Sequence, residues 1–478
     1  MRIAIITHGT PHPSRGGSGH WLTVYTEYLA RFHDVVIIRI NGRFPTIERD
    51  YDDAAAPVDA KWRSMGISFV DVPWSSLVPP SNLGGLSRIL ARLTALKTAD
   101  LFRRIPFAWL GNSFLIFPDC GRFPQLLSLV KSERIDILIA PGPLCTMYAA
   151  PLKGICKVSI SAEGPHVNTK VRFETWSREN RPSHLRLWVL GILNRTRCWQ
   201  EARAEVAILK TYTRVLLAGQ HYLRWALHAG LRGCSHIPLP LKHEAAIGEP
   251  DAARRANREK FRILMIGHLN QTSNRTQLPL LMDEILPAMD RLFRDVPWLV
   301  RIVGSHDSVE GRYAALSRHP KVCFAGPVDD AGAEFAEADV LLAPVTAETG
   351  PRTKIIQAFA HGLPVVAHIN NQLGIAELVH YGNCILGQSG LDLAVGLRRL
   401  YDDPALAQRL GASGRDTYET AYRADRSCEI LHNLLKDSWT EFISGSGPEW
   451  FERPYQRGAL GGRSTPESGV DIPVAVEG

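Results

Sequence analysis

Short apolar runs alternate with helix-like segments along most of this chain, and no other feature narrows its fold so sharply. In the first half the predicted strands are RIAIIT (2–7), DVVIIRI (34–40), ISFVDVP (67–73), DILIAPG (136–142), KVSISAE (157–163) and VAILKT (206–211). A second series reads FRILMIG (261–267), WLVRIVG (298–304), KVCFAG (321–326), DVLLAPV (339–345) and PVVAH (364–368). Several runs are apolar on both faces, as expected of parallel strands covered by helices on both sides. Two doubly wound α/β domains follow, since 478 residues exceed what one core usually organises.

The break between the series is IPLPLKHEAAIGEPDAARRANR (237–258), where prolines interrupt a strand-like run and a polar, charged stretch follows. The predicted division is therefore a first domain over 1–242, a linker over 243–258 and a second domain over 259–424. Residues 425–442 read as an amphipathic helix docked on the body. The Gly-, Pro- and Ser-rich tail 443–478 is expected to be mostly disordered.

Composition removes several classes of function. No run of 18 apolar residues occurs, and MRIAIITHGTP lacks the pattern of a signal peptide, so a cytoplasmic protein is expected, with contact at the inner membrane face left open. Eight scattered cysteines include no CxxC pair and suggest no metal site. The net charge of +7 is dispersed, without a zinc-finger or RRM-type pattern, which argues against nucleic acid. Phosphorylated small molecules and anionic membrane surfaces remain as partners. Residues 86–110 combine Leu and Ile at helical spacing with Arg88, Arg92, Lys97, Arg103 and Arg104; both a membrane-surface segment and a core-facing helix with a solvated basic face fit them.

Two segments carry chemistry. After the first strand, the loop with Gly16, Gly17 and Gly19 runs into an amphipathic helix; glycines let the backbone approach a ligand and exposed amides favour an anion. Its spacing is neither GxGxxG nor a Walker sequence, and many α/β turns need such glycines structurally. The second segment, TAETGPRTKIIQAFAHGLPVVA (346–367), follows the strand DVLLAPV. Gly350 and Pro351 are expected to turn into a helix carrying Arg352 and Lys354 in its first turn, so two cations and free amides meet at the carboxyl edge of a parallel sheet. The helix dipole disfavours cations there unless an anion compensates, and a diphosphate is the natural occupant. A merely solvated basic pair is the alternative.

These segments resemble the retaining GT-B glycosyltransferases of the glycosyl transferases group 1 type. IGHLNQTSN, DVPWLVRIVG, FAGPVDD, ADVLLAPV, GPRTKIIQAFAHGLPVV and GIAEL follow one another in that family's order. The nearest subgroup carries G-T-R-x-K-x-x-E-A-x-A, onto which Gly350, Arg352 and Lys354 map, with Pro351 in place of Thr and Gln357 in place of Glu. Two glutamates eight positions apart, common in the wider family, fall at Thr349 and Gln357, with Glu348 one residue away. The resemblance implies a GT-B fold of two Rossmann-like domains facing a cleft, and a nucleotide-diphosphate sugar as co-substrate with no further cofactor. It implies donor contacts from Gly16, Gly17, His268, Asn274, Gly350, Arg352, Lys354 and Gln357, with the backbone near Val328 meeting the nucleobase. Arg352, Lys354 and helix-start amides would stabilise the leaving diphosphate without a metal, since no DxD pair is placed to hold one. Glu163 and His166, after the strand KVSISAE, are the candidates for a general base. The acceptor, whether glycan, lipid-linked or small molecule, is left open. A nucleotide-sugar epimerase or hydrolase, and a binding subunit without turnover, stay as rivals, the latter because neither expected glutamate is present.

Overall fold

The computed structural model describes residues 1–11, 17–41, 51–73, 124–180, 182–241, 259–269, 271–305, 313–328 and 330–445. The first sheet has seven strands: β1 (Arg2–Thr7), β2 (Asp34–Asn41), β3 (Ser68–Pro73), β4 (Ile137–Pro141), β5 (Cys156–Ser161), β6 (Arg214–Leu217) and β7 (Cys234–His236). The second has six: β8 (Phe261–Ile266), β9 (Trp298–Val303), β10 (Val322–Gly326), β11 (Val340–Ala343), β12 (Val365–His368) and β13 (Ile385–Gly387). Their orders are β3-β2-β1-β4-β5-β6-β7 and β10-β9-β8-β11-β12-β13, with every pairing parallel.

Both orders reverse direction once, between β1 and β4 and between β8 and β11. Helices leave to opposite faces at such a point, opening a crevice beyond the carboxyl ends of the strands. The strands themselves are buried on both faces. β1 keeps Ile3, Ala4, Ile5 and Ile6 at 1% exposure or less; Ala4 and Ile6 pack into one apolar cluster, Ile3 and Ile5 into another. In the second sheet Val340 and Leu342 point to one cluster, Leu341 and Ala343 to the other. Alternate residues thus feed two separate helix layers, which is why the runs lack a polar face.

The run VAILKT (206–211) is not a strand. It closes the 26-residue helix His184–Leu209, and the strand is the next apolar run, β6. Short apolar runs do not distinguish strand from helix, and the preceding Glu201, Ala202, Ala204 and Glu205 favour helix. The short strands β7 and β13 were not anticipated. The final helix, Ala424–Gly445, buries Cys428, Leu431 and Leu435 in the cluster of Ile3, Ile5 and Tyr25 on the first sheet, so the chain returns to its starting domain. That helix extends past 442 to Gly445, and the rest of the tail lies outside the described residues, as do Gly16, the linker 243–258 and the basic segment 86–110. Among the described residues no helix is long and apolar enough to cross a membrane.

Candidate functional site

The second sheet's switch point builds the site. Gly267 follows β8, and the loop after β11 runs through Thr349, Gly350 and Pro351 to the helix Thr353–Ala360. This helix forms because Ile355, Ile356, Ala358, Phe359 and Ala360 all bury into the second domain's core, and it ends where Gly362 adopts φ 60°. Arg352 is its N-cap rather than a first-turn residue, since its backbone is extended (φ −95°, ψ 97°). The guanidinium consequently folds back on its own loop and donates to the Ala347 carbonyl (3.3 Å) and to Thr349 Oγ1. Thr349, at a position where the wider family carries a carboxylate, is thus a buried partner of Arg352.

Lys354 is the more unusual group. Its side chain is buried, with the residue only 8% exposed, and Nζ donates to Asn274 Oδ1 at 3.1 Å. Asn274 in turn donates to the His268 carbonyl (3.0 Å), and His268 Nδ1 meets Ser305 Oγ at 2.9 Å. Lys354, Asn274 and His268, all predicted site residues, therefore form one connected chain. Gly267 makes room for it: at φ 135° it takes a backbone that side chains rarely adopt, and a Cβ there would stand 2.9 Å from Lys354 Nζ and 3.1 Å from Asn274 Nδ2.

Neither Arg352 nor Lys354 makes an ion pair among the described residues. Burial, with the Arg352 guanidinium adding to it, lowers the Lys354 amine from the ordinary lysine value to about 7. Burial likewise lowers Arg352, and Glu163 opposes that shift. Two adjacent cations, Lys354 buried and Arg352 part-buried, that make no ion pair among the described residues form a site that an anion would stabilise. Gln357 is half-buried on the same helix, and Val328 packs against the second domain's core. Gly17 begins the helix Gly17–Leu29 after β1.

Across from this site the first domain presents a different chemistry. Glu163 Oε2 accepts a hydrogen bond from the Gly350 backbone amide at 2.8 Å, so its carboxylate bridges the two domains. Gly350 lies so close to the first domain that a Cβ on it would come 2.8 Å from the Ala162 carbonyl. His166, three residues on, does not join Glu163. Its Nδ1 pairs with Glu205 Oε2 at 2.8 Å, and its ring lies 4.6 Å from that of Trp225. Glu205 also accepts from the Tyr222 hydroxyl, and Gly164 leaves space for the pair.

Further contacts join the domains through the helix Pro165–Asn180. Lys170 pairs with Glu348 at 2.6 Å, Arg178 donates to Thr346 Oγ1 at 2.9 Å, Glu179 pairs with Arg275, and Val171 packs on Val345 and Ala347. Glu348 is thereby directed at Lys170. Sequence reasoning missed this helix, Glu205 and His221, whose Nδ1 bonds to the Leu373 carbonyl across the cleft. These are long-range partnerships with no local spacing signal. Gly267 was detectable as the glycine ending a predicted strand.

The architecture of two doubly wound domains is the GT-B fold. Residues 260–403 match the family model described as glycosyl transferases group 1. No curated protein matches it in sequence. Among solved structures it is similar to HepE of Anabaena in complex with UDP, at 12% identity and TM-score 0.59 over 91% of this chain and 100% of that one. Sucrose-phosphate synthase from Thermosynechococcus elongatus gives 16% identity and TM-score 0.61 over 92% and 100%. TarM gives 12% and 0.60 over 91% and 98%. At such identities the likeness establishes the fold.

Proposed function

We propose that the protein transfers a sugar from a nucleoside-diphosphate sugar, with retention of anomeric configuration and without a metal, in the assembly of a polysaccharide or glycoconjugate. One observation carries the reading: Lys354 is a buried cation with no carboxylate partner, beside Arg352 at the same sheet edge. A diphosphate there would restore the charge of Lys354, and as the glycosidic bond loosens the growing negative charge on the leaving group would face two preorganised cations. No metal is required for that stabilisation. HepE was solved with UDP, UDP with glucose, and UDP-glucose, which makes a uridine nucleotide the first donor to test.

Glu163, engaged by Gly350, fits a positioning role that holds the donor loop against the first domain. His166 is the better proton-transfer candidate, because Glu205 orients its ring and fixes the tautomer. The test is a thermal-shift series with UDP, GDP, ADP and their sugars in EDTA, followed by NMR of the anomeric product. Stabilisation by one nucleotide family and a retained anomer are expected; failure of every nucleotide to stabilise the protein would defeat the reading.

A binding subunit without turnover is favoured by one specific observation. Glu348 is committed to Lys170 and Thr349 to Arg352, so neither position presents a free carboxylate. Tight nucleotide binding without transfer to any acceptor extract would select this second reading.

A further inference from the structure

Before its last turn, where Val206, Ile208 and Leu209 pack on the first domain's core, the helix His184–Leu209 is inside out. Its inward face carries Asn194, Glu201 and Glu205, all buried, while the opposite face carries Leu185, Trp188, Ile192 and Trp199, which are 72%, 66%, 45% and 57% exposed. The four apolar positions recur every three, four or seven residues, so they form one stripe along the helix. At about 1.5 Å per residue that stripe is roughly 21 Å long. A helix in water ordinarily shows the reverse arrangement.

Along this segment the charge has one sign. No acidic residue occurs between Glu179 and Glu201, whereas Arg186 and Arg195 are exposed beside the stripe, and Arg203 lies 4.7 Å over the Trp199 ring. Apolar and tryptophan side chains between arginines are what an anionic bilayer surface takes up: the rings and aliphatic groups enter the headgroup boundary while the guanidiniums meet lipid phosphates. A second copy fits less well, because a two-fold pairing of this face would set arginines against arginines. The helix is not apolar enough to cross a membrane.

We infer that the outer face of His184–Leu209 seats this protein on an anionic membrane surface. The placement has a consequence for the acceptor. The preceding helix, Pro165–Asn180, packs against this one and reaches the donor loop through Val171, Lys170 and Arg178. A bilayer held here lies next to the cleft, which suits a lipid-linked acceptor. The inference extends the acceptor half of the proposed function, but its readout is independent of nucleotide binding.

The test is flotation of the full chain with vesicles of pure phosphatidylcholine and of phosphatidylcholine with about 30% phosphatidylglycerol, at low and high salt. The wild type is expected to float with the anionic vesicles, at least tenfold more than with the neutral ones. The double variant Trp188→Glu/Ile192→Glu is expected to lose that binding while keeping its melting temperature, since both residues are exposed. Arg195→Glu, which leaves the apolar stripe intact, is expected to lower anionic selectivity severalfold. No flotation of the wild type overturns the inference, as does undiminished flotation of the double variant, which would move the contact elsewhere, for instance to residues 86–110. A wild-type dimer in light scattering that the double variant dissolves, without vesicle binding, would assign the face to a second copy instead.

Discussion

The two sheet edges that face each other were built to the same plan and hold opposite charge arrangements. In the second domain Arg352 and Lys354 make no ion pair among the described residues, and burial lowers the Lys354 amine to about 7. In the first, Glu163 and Glu205 are each already engaged, by the Gly350 amide and by His166 with Tyr222. The second edge therefore holds cations that an anion would complete, whereas among the described residues Glu163 and Glu205 on the first side already have partners and are placed to position or relay. Substitutions on the two sides should therefore separate binding from turnover.

The largest effect is expected from His166→Ala, which should lower the transfer rate by about a hundredfold, within the usual range for a lost acid–base group, while leaving nucleotide affinity unchanged in calorimetry. A matched fall in affinity would erase the contrast between the edges. Lys354→Ala should do the reverse and weaken UDP binding by roughly ten- to a hundredfold, the worth of about 1.5–3 kcal/mol for a charge-assisted contact. Next comes Gly267→Ala, whose Cβ would press on Lys354 Nζ and Asn274 Nδ2 from a backbone that alanine disfavours. Chemical denaturation should show a loss of about 1–3 kcal/mol, together with weaker nucleotide binding. The smallest effect is assigned to Glu163→Gln. Its amide oxygen can still accept from the Gly350 amide, so stability should fall by no more than about 1 kcal/mol and the rate by only a few-fold. A rate loss of several orders would make Glu163 the base and remove its positioning role.

What the sequence made legible follows the same division. The second domain's strands and the segment 350–367 could be read because each is local: an apolar run, a glycine turn, cations at a helix start. Even there Arg352 was misplaced by one position, since an N-cap and a first-turn residue differ only in ψ. The first domain's edge was harder because its partnerships are distant. Glu205 reaches His166 over 39 residues and Glu163 reaches Gly350 over 187, and no periodicity announces either. VAILKT failed for a related reason, as its six residues fit strand and helix equally and only the long helix before it decides. The inverted helix His184–Leu209 was invisible for the same cause: its buried glutamates look like a solvated face until their partners are known.

A bound diphosphate is expected to recharge Lys354. With its amine lowered to about 7, the ligand-free residue is mostly neutral at pH 8, whereas a bound anion raises it. The sign follows: between about 7 and the ordinary lysine value the bound state holds the extra proton, so affinity falls as pH rises through that window. Calorimetric titration of a nucleoside diphosphate at pH 8, in buffers of different ionisation enthalpy, reads that proton directly. The account predicts uptake of close to one proton per ligand by the wild type and none by Lys354→Ala. Binding without proton uptake, or equal uptake by the variant, would contradict it.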